Sequence, residues 1–225
     1  MKRSEINQTI HDAIEFFAKI HFALPPFAFF TPALWREKAE AYREVIDCRL
    51  GWDVTDVGLG DFTKTGRTIF TLRNGNLAKS SLYPKSYAQK AMYLLDDQRM
   101  PVHFHRMKME DIINAGSGLL MVKVWPKNDV QKLTEEKFAL SVSGQRVTVA
   151  GGTTFTLKPG ESINMLPGIY HQFWIKAGTG PSLSMEISST NDDLTDNIWL
   201  AEATRFPAII EDEEKKYILC SEYEK

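Results

Sequence analysis

The chain has only two cysteines in 225 residues, Cys48 and Cys220, far apart and without a CxxC spacing. That excludes a zinc knuckle and a disulfide framework. It has no apolar run of membrane-spanning length, and its opening stretch, Met-Lys-Arg-Ser-Glu-Ile-Asn-Gln, is too polar for a secretory signal. A cytoplasmic protein with no membrane partner is expected. Excess charge is missing too: the formal net charge is −2. No basic stripe is therefore available to neutralise phosphates, which argues against nucleic acid as a partner. Neither the dinucleotide glycine fingerprint nor a P-loop occurs, so nicotinamide and ATP chemistry have no support. There is no internal repeat and no low-complexity segment. What remains is an ordinary globular composition, 43% apolar and 25% charged, in a chain long enough to bury a core without staples.

The stretch that is unusual is 101–110, Pro-Val-His-Phe-His-Arg-Met-Lys-Met-Glu. His103 and His105 are two apart, so on a strand both side chains leave the same face, as would Met107. The residues after His105 suffice to turn the chain and bring Glu110 back beside them. His171 follows Pro167-Gly168 on what again reads as a strand. Three imidazoles and a carboxylate make a divalent-metal set with room for substrate.

This spacing, His-x-His-x-x-x-x-Glu followed by Gly160, Pro167, Gly168 and His171, resembles the two motifs of the cupin superfamily. The resemblance implies a mainly β fold, a double-stranded β-helix or jelly-roll barrel, with a metal held by His103, His105, Glu110 and His171.

The pattern along the chain agrees with such a fold. Ile6, Ile10, Ala13, Phe17 and Ile20 form one stripe of a helix over 4–22 with Ser4 as N-cap. Pro25-Pro26 ends it. Thr31-Pro32 reads as N-cap and first residue of a second helix bearing Trp35, Ala39, Tyr42 and Ile46 on one face. From Leu50 the period changes to two, with candidate strands at 66–72, 87–95, 101–107, 109–113, 118–125, 146–150, 154–157, 162–166, 171–176 and 182–188. Gly, Pro, Asn and Asp separate most of them. Many short strands at this spacing favour a sandwich or two-sheet barrel. One domain over 1–225 is expected, with a helical extension at 1–48, a barrel at 50–200 and a C-terminal segment at 201–225. The charge run 211–216 reads as a solvated loop or helix start. The aromatic stretch Phe27–Phe30 with Trp35 suggests buried packing and a homodimer.

Further candidates follow from alternation. Lys108 shares a face with Glu110; it either holds a substrate oxygen or relays a proton near the metal, or it is a solvated hairpin lysine. Phe173 shares a face with His171 and is pocket wall or barrel core. In 182–188, Leu183, Met185 and Ile187 form an apolar face. Glu186 on the other face enters the lumen if the apolar side packs outward, or is solvated if this is an edge strand. A buried carboxylate with a raised pKa would suit a general base.

The segments Asn191–Asn197, Leu157–Ile163 and Tyr170–Trp174, together with the helical extension, resemble one cupin group, the D-lyxose isomerases. This resemblance implies a metal-dependent aldose–ketose isomerase acting on the free sugar lyxose and relatives such as mannose, usually with manganese; zinc, iron and cobalt also suit the ligands. Moving hydrogen between C2 and C1 through a cis-enediol then makes Glu186 the base and Lys108 the helper at the oxygens, with Lys90, Asp193 and Arg205 at the outer hydroxyls and Phe173 as pocket wall; a metal-assisted hydride shift would use the same metal and leave Glu186 less important. Rival readings are a cupin phosphosugar isomerase, an Fe(II) dioxygenase, which would need no inward base, and a non-catalytic binding cupin.

Overall fold

In the computed structural model, which describes residues 1–128, 132–193 and 195–223, three helices precede the strands. They are α1 Arg3–Lys19, α2 Pro32–Lys38 and α3 Arg43–Asp47. The strands are β1 Gly51–Thr55, β2 Arg67–Arg73, β3 Tyr87–Leu94, β4 His103–His105, β5 Glu110–Asn114, β6 Leu120–Trp125 and β7 Lys137–Val142. After them come β8 Gln145–Ala150, β9 Thr153–Leu157, β10 Ser162–Met165, β11 Tyr170–Ile175, β12 Ser182–Ser189 and β13 Asn197–Trp199. One eight-stranded sheet runs β1-β2-β3-β12-β5-β10-β7-β8 and a five-stranded sheet runs β13-β4-β11-β6-β9. The strand pairs are antiparallel. This is the two-sheet cupin barrel that the motifs implied.

Between the sheets lies an apolar core. Ile69, Met92 and Ile112 from the larger sheet meet Leu120, Val122, Val124 and Phe173 from the smaller. Alternation sorts β12 cleanly: Leu183 and Met185 pack outward under α1, and Ser184 and Glu186 are buried inward. The α1 stripe of Ile6, Ile10, Ala13 and Phe17 covers the larger sheet at Trp52, Phe70 and Ala91. Burying side chains of this size contributes about 1.5–3 kcal/mol each. That contact, more than helix propensity, holds the extension in place.

Several expectations need correction. α1 begins at Arg3 with Lys2 as N-cap, whose backbone N–H donates to Glu5. Ser4 is not the cap; its hydroxyl donates to Asp212 instead. The second helix has Thr31 as N-cap and Pro32 first, as expected, but is cut into α2 and α3 by turns at 39–42. β1, β7 and β13 were not foreseen. Met107 does not face inward: β4 stops at His105, the chain turns, and Met107 is 76% exposed. Ile187 is partly exposed and lies beyond the cover of α1. The run 211–216 is not simply solvated. Glu211 binds the buried Arg3, Asp212 binds Ser4, and Glu213 accepts from Asn7. The C-terminal segment is thereby tied to the start of α1. The aromatics Phe30 and Trp35 pack within the chain against Val45, Leu50 and Tyr83, so they are not by themselves a sign of a second copy.

Candidate active site

Pairing registers bring the distant motif residues together. His103 on β4 lies opposite His171 on β11, and Glu110 opens β5, opposite Met165 and Ser188. Before β11 the chain reverses at Gly168, whose φ of 89° favours glycine and whose N–H donates to the His105 carbonyl at 2.8 Å. The other turn is set by Asp196: its carboxylate accepts from the backbone N–H groups of Met107 and Lys108 at 2.8 and 3.0 Å. That grip directs the Lys108 side chain inward, where it is 3% exposed, so it is not a solvated hairpin lysine.

The three imidazoles are buried, and one ring nitrogen from each lies within 4.8 Å of the others. Glu110 Oε2 is 3.3 Å from His105 Nε2, and Oε1 is 2.9 Å from His171 Nε2. The His103 and His171 Nδ1 atoms sit 3.0 and 3.1 Å from the carbonyls of Pro101 and Ile169. A carbonyl only accepts, so each Nδ1 carries the hydrogen and each Nε2 of a neutral ring offers a lone pair. His171 Nε2 and Glu110 Oε1 then face one another without a hydrogen bond, both buried and unsatisfied. Two lone-pair donors at that distance call for a proton or a metal ion between or beside them. Burial, then the neighbouring imidazoles, hold His103 well below its usual pKa, and burial followed by Lys108 lowers His105. Both therefore stay neutral and able to ligate. A divalent ion fits this set.

Lys108 Nζ bridges two carboxylates, 2.7 Å from Glu110 and 2.8 Å from Glu186. Burial opposes its charge, but Glu110, Glu186 and Asp193 raise its pKa overall, so it is a fixed cation and not a titrating relay. Glu186 also departs from expectation. Burial pushes its pKa up, yet Lys108 and Lys90 outweigh that and leave it lowered. It is an ionised acceptor, not a carboxyl with raised pKa.

Around these groups lies a narrow cleft. Lys90 Nζ is 3.5 Å from both Glu186 and Asp193 and donates to Asn191 at 2.7 Å. Arg205 pairs with Asp53 and lies 3.4 Å from Asp193. Lys90, Asp193 and Arg205 thus line the same cleft as Lys108, Glu186, Glu110, His103 and His105. Phe173 is in the inter-sheet core beneath it, under the guanidinium of Arg67.

With the geometry in place, comparison with known proteins decides the family. A model described as "D-lyxose isomerase" matches residues 1–223. The chain belongs to the D-lyxose isomerase family. It is 44% identical over 224 residues to a D-lyxose/D-mannose isomerase of Escherichia coli O157:H7, covering 99% of this chain and 98% of that one. A second D-lyxose/D-mannose isomerase, from Serratia proteamaculans, is 43% identical over the same length and shares. The fold is shared with L-ribose isomerase of Acinetobacter sp. DL28, with a TM-score of 0.57, 13% identity, and coverage of 93% and 98%. It is shared also with the Cellulomonas parahominis L-ribose isomerase, at a TM-score of 0.54, 16% identity, and coverage of 91% and 95%.

For a D-lyxose isomerase family member, the sequence reading left out part of the cleft. Arg67, Thr55, Met100, Asn197 and Trp199 also line it. Trp199 faces His103, with ring centroids 4.7 Å apart, and belongs to the unforeseen β13. Asp196 lay within the family-like segment 191–197, but nothing in that pattern assigned it to the Met107–Lys108 turn. Leu194 of the same segment lies outside the described residues. Arg67 carried no signal, because an arginine opening a strand reads as a solvated end.

Proposed function

We propose that the protein interconverts D-lyxose with D-xylulose, and D-mannose with D-fructose, by proton transfer through a cis-enediol. The observation that carries this is Lys108. One buried ammonium touches both Glu110, which sits among the imidazoles, and Glu186, which does not. It ties a metal-ligating carboxylate to a free one across a single cleft, the arrangement needed to polarise a sugar and move its proton.

In this reading His103, His105, Glu110 and His171 hold a divalent ion, manganese by the family resemblance. When bound, the ion supplies Lewis acidity to the sugar's neighbouring oxygens. Glu186 takes the C2 proton and returns it to C1. Ionised at neutral pH, it is ready to accept; once a sugar displaces water and shares Lys108, its basicity rises. Lys108 donates to the reacting oxygens. Lys90, Asp193 and Arg205 bind the remaining hydroxyls, since a polyol needs several fixed donors and acceptors. Phe173 supports the cleft floor. A cytoplasmic homodimer completes the reading. For a dimer the exposed apolar side chains Leu77, Leu82, Met107 and Met109 give better support than the N-terminal aromatics.

The test is purified, manganese-loaded protein with free and phosphorylated aldoses and ketoses under nitrogen, in deuterated water. Conversion of D-lyxose to D-xylulose with partial solvent deuterium at C1 is expected, entering wherever the protonated Glu186 exchanges with solvent before it returns its proton. Turnover without deuterium would point to a hydride shift and remove Glu186 as base. Turnover of phosphorylated sugars alone would move the chain to phosphosugar isomerisation, and oxygen-dependent turnover alone would replace the isomerase reading with an oxygenase.

A further inference from the structure

Four cationic side chains line the cleft, and three of them are matched by acids: Lys90 by Glu186 and Asp193, Lys108 by Glu110 and Glu186, Arg205 by Asp53 and Asp193. Arg67 is different. Among the described residues no carboxylate makes an ion pair with it, and its Nε is buried without a hydrogen-bond partner. The residue opens β2, opposite Thr55, and is 7% exposed. Its guanidinium carbon lies 4.1 Å from the centroid of the Phe173 ring. This cation–π contact offsets part of the lost hydration. A ring face is not an oxygen acceptor, however, and Nε still makes no hydrogen bond. An open charged donor in a buried position costs more than an open neutral one, and the cleft is where its partner can enter.

Arg67 lines one cleft with His103, His105, Glu110 and Glu186, so its open donor faces the space in which the reaction is placed above. Burial lowers its pKa to about 10, with Glu186 and then Glu110 pulling the other way, and it remains cationic at neutral pH.

We propose that Arg67 stabilises the negative oxygen formed during isomerisation, donating from its open edge to the planar enediolate. This rests on the isomerase reading above. When Glu186 removes the C2 proton, the C–H electron pair becomes the C1–C2 double bond and the carbonyl π pair moves onto O1. Transfer of the O2 proton to O1, and return of the first proton from Glu186 to C1, gives the ketose with no net gain or loss. Charge rests on an oxygen only between these steps. A rigid, unpaired cation there favours the intermediate over the neutral sugar at either end.

The test compares wild type, R67M and R67K, all manganese-loaded, by D-lyxose kinetics and by calorimetric binding of D-threonohydroxamate, a planar anionic mimic of a five-carbon enediolate. For R67M, kcat is expected to fall about 10²–10³-fold, the cost typical of a lost oxyanion donor, with KM within threefold. Hydroxamate affinity should fall by at least tenfold, and R67K should recover part of both losses. A kcat within fivefold of wild type, an unchanged hydroxamate affinity, or a rise in KM alone would overturn the proposal; the last would make Arg67 a contact for a distant hydroxyl. If R67M does not fold by circular dichroism, the same two ratios for R67K decide. If wild type turns over no sugar, the isomerase reading fails by itself. Hydroxamate binding then decides for Arg67, and equal affinity in wild type and R67K counts against it.

Discussion

Two regions of the molecule use the same device, a buried cation held between two carboxylates. At one edge Arg3, fully buried, binds Glu211 through Nε at 2.8 Å and Glu222 through Nη1 at 3.2 Å, with further bonds from Nη2 to both. In the barrel Lys108 binds Glu110 and Glu186. The difference is in what is left over. Each guanidinium nitrogen of Arg3 has a partner, and the cluster joins the start of α1 to the C-terminal segment. Around Lys108 the buried atoms without partners accumulate: His105 Nδ1, Glu110 Oε1, His171 Nε2, Arg67 Nε and Arg205 Nη1. Charge burial alone therefore does not mark an active site. Several buried charged or ligating groups with unmet hydrogen-bonding capacity, gathered at one place, do, because the fold has left that capacity to a ligand.

Removing the metal should separate the two regions most sharply. Dialysis against a chelator is expected to abolish turnover, more than 10³-fold, and manganese to restore it. If the ion is held at 100 times its dissociation constant, its loss also lowers stability by about 2.7 kcal/mol, visible as a lower Tm. Neither effect should alter the Arg3 cluster, so R3A should keep its manganese content. A metal-stripped protein with full activity would break the comparison at its root. Next comes E186Q. Loss of a positioned base costs about 10²–10⁴-fold in kcat. Because Glu186 is not an ion ligand in this reading, the manganese content should stay within error. Activity within tenfold of wild type would leave Glu186 as a structural acid like Glu222.

The sequence disclosed the metal-side half of this contrast far better than the other. The meeting of His103, His105, Glu110 and His171 was legible because strand period and turn length set their spacing. The barrel is legible from alternation, with β12 the clearest case. Glu186 was placed by its apolar neighbours Leu183 and Met185. What alternation could not supply were partners from distant strands. The lowered pKa of Glu186 depends on Lys90 and Lys108, which arrive from β3 and the turn after β4. Arg67 has meaning only once Phe173 lies beneath it. Met107 was misread because a period of two was carried past the end of a three-residue strand. The role of Glu211 and Glu222 was hidden for the same reason as Arg67: about two hundred residues separate them from Arg3, and a charge run alone reads as solvated.

The structural half of the comparison yields the two smaller effects. R3A leaves the two carboxylates only the half-exposed Lys215, 2.8 Å from Glu222 and 3.7 Å from Glu211. Breaking a buried pair costs about 3–5 kcal/mol; Glu211 is half exposed, so about 2–4 kcal/mol is expected, read by urea denaturation, with kcat per folded molecule unchanged. A kcat loss would mean that the terminal clamp reaches the cleft. The same cluster fixes a pH response. The hydrogen bond from Arg3 lowers the Glu211 pKa, and for Glu222 burial works upward but Arg3 and Lys215 outweigh it. Carboxylates with depressed folded-state pKa values stabilise the fold above their unfolded value of about 4.3, and that contribution is lost as pH falls through the lower folded value. The stability gap between wild type and R3A should therefore be constant from pH 7 to about 5 and narrow below about 4. A gap that stayed constant to pH 3 would show that Arg3 acts through packing of its aliphatic stem and not through these two acids.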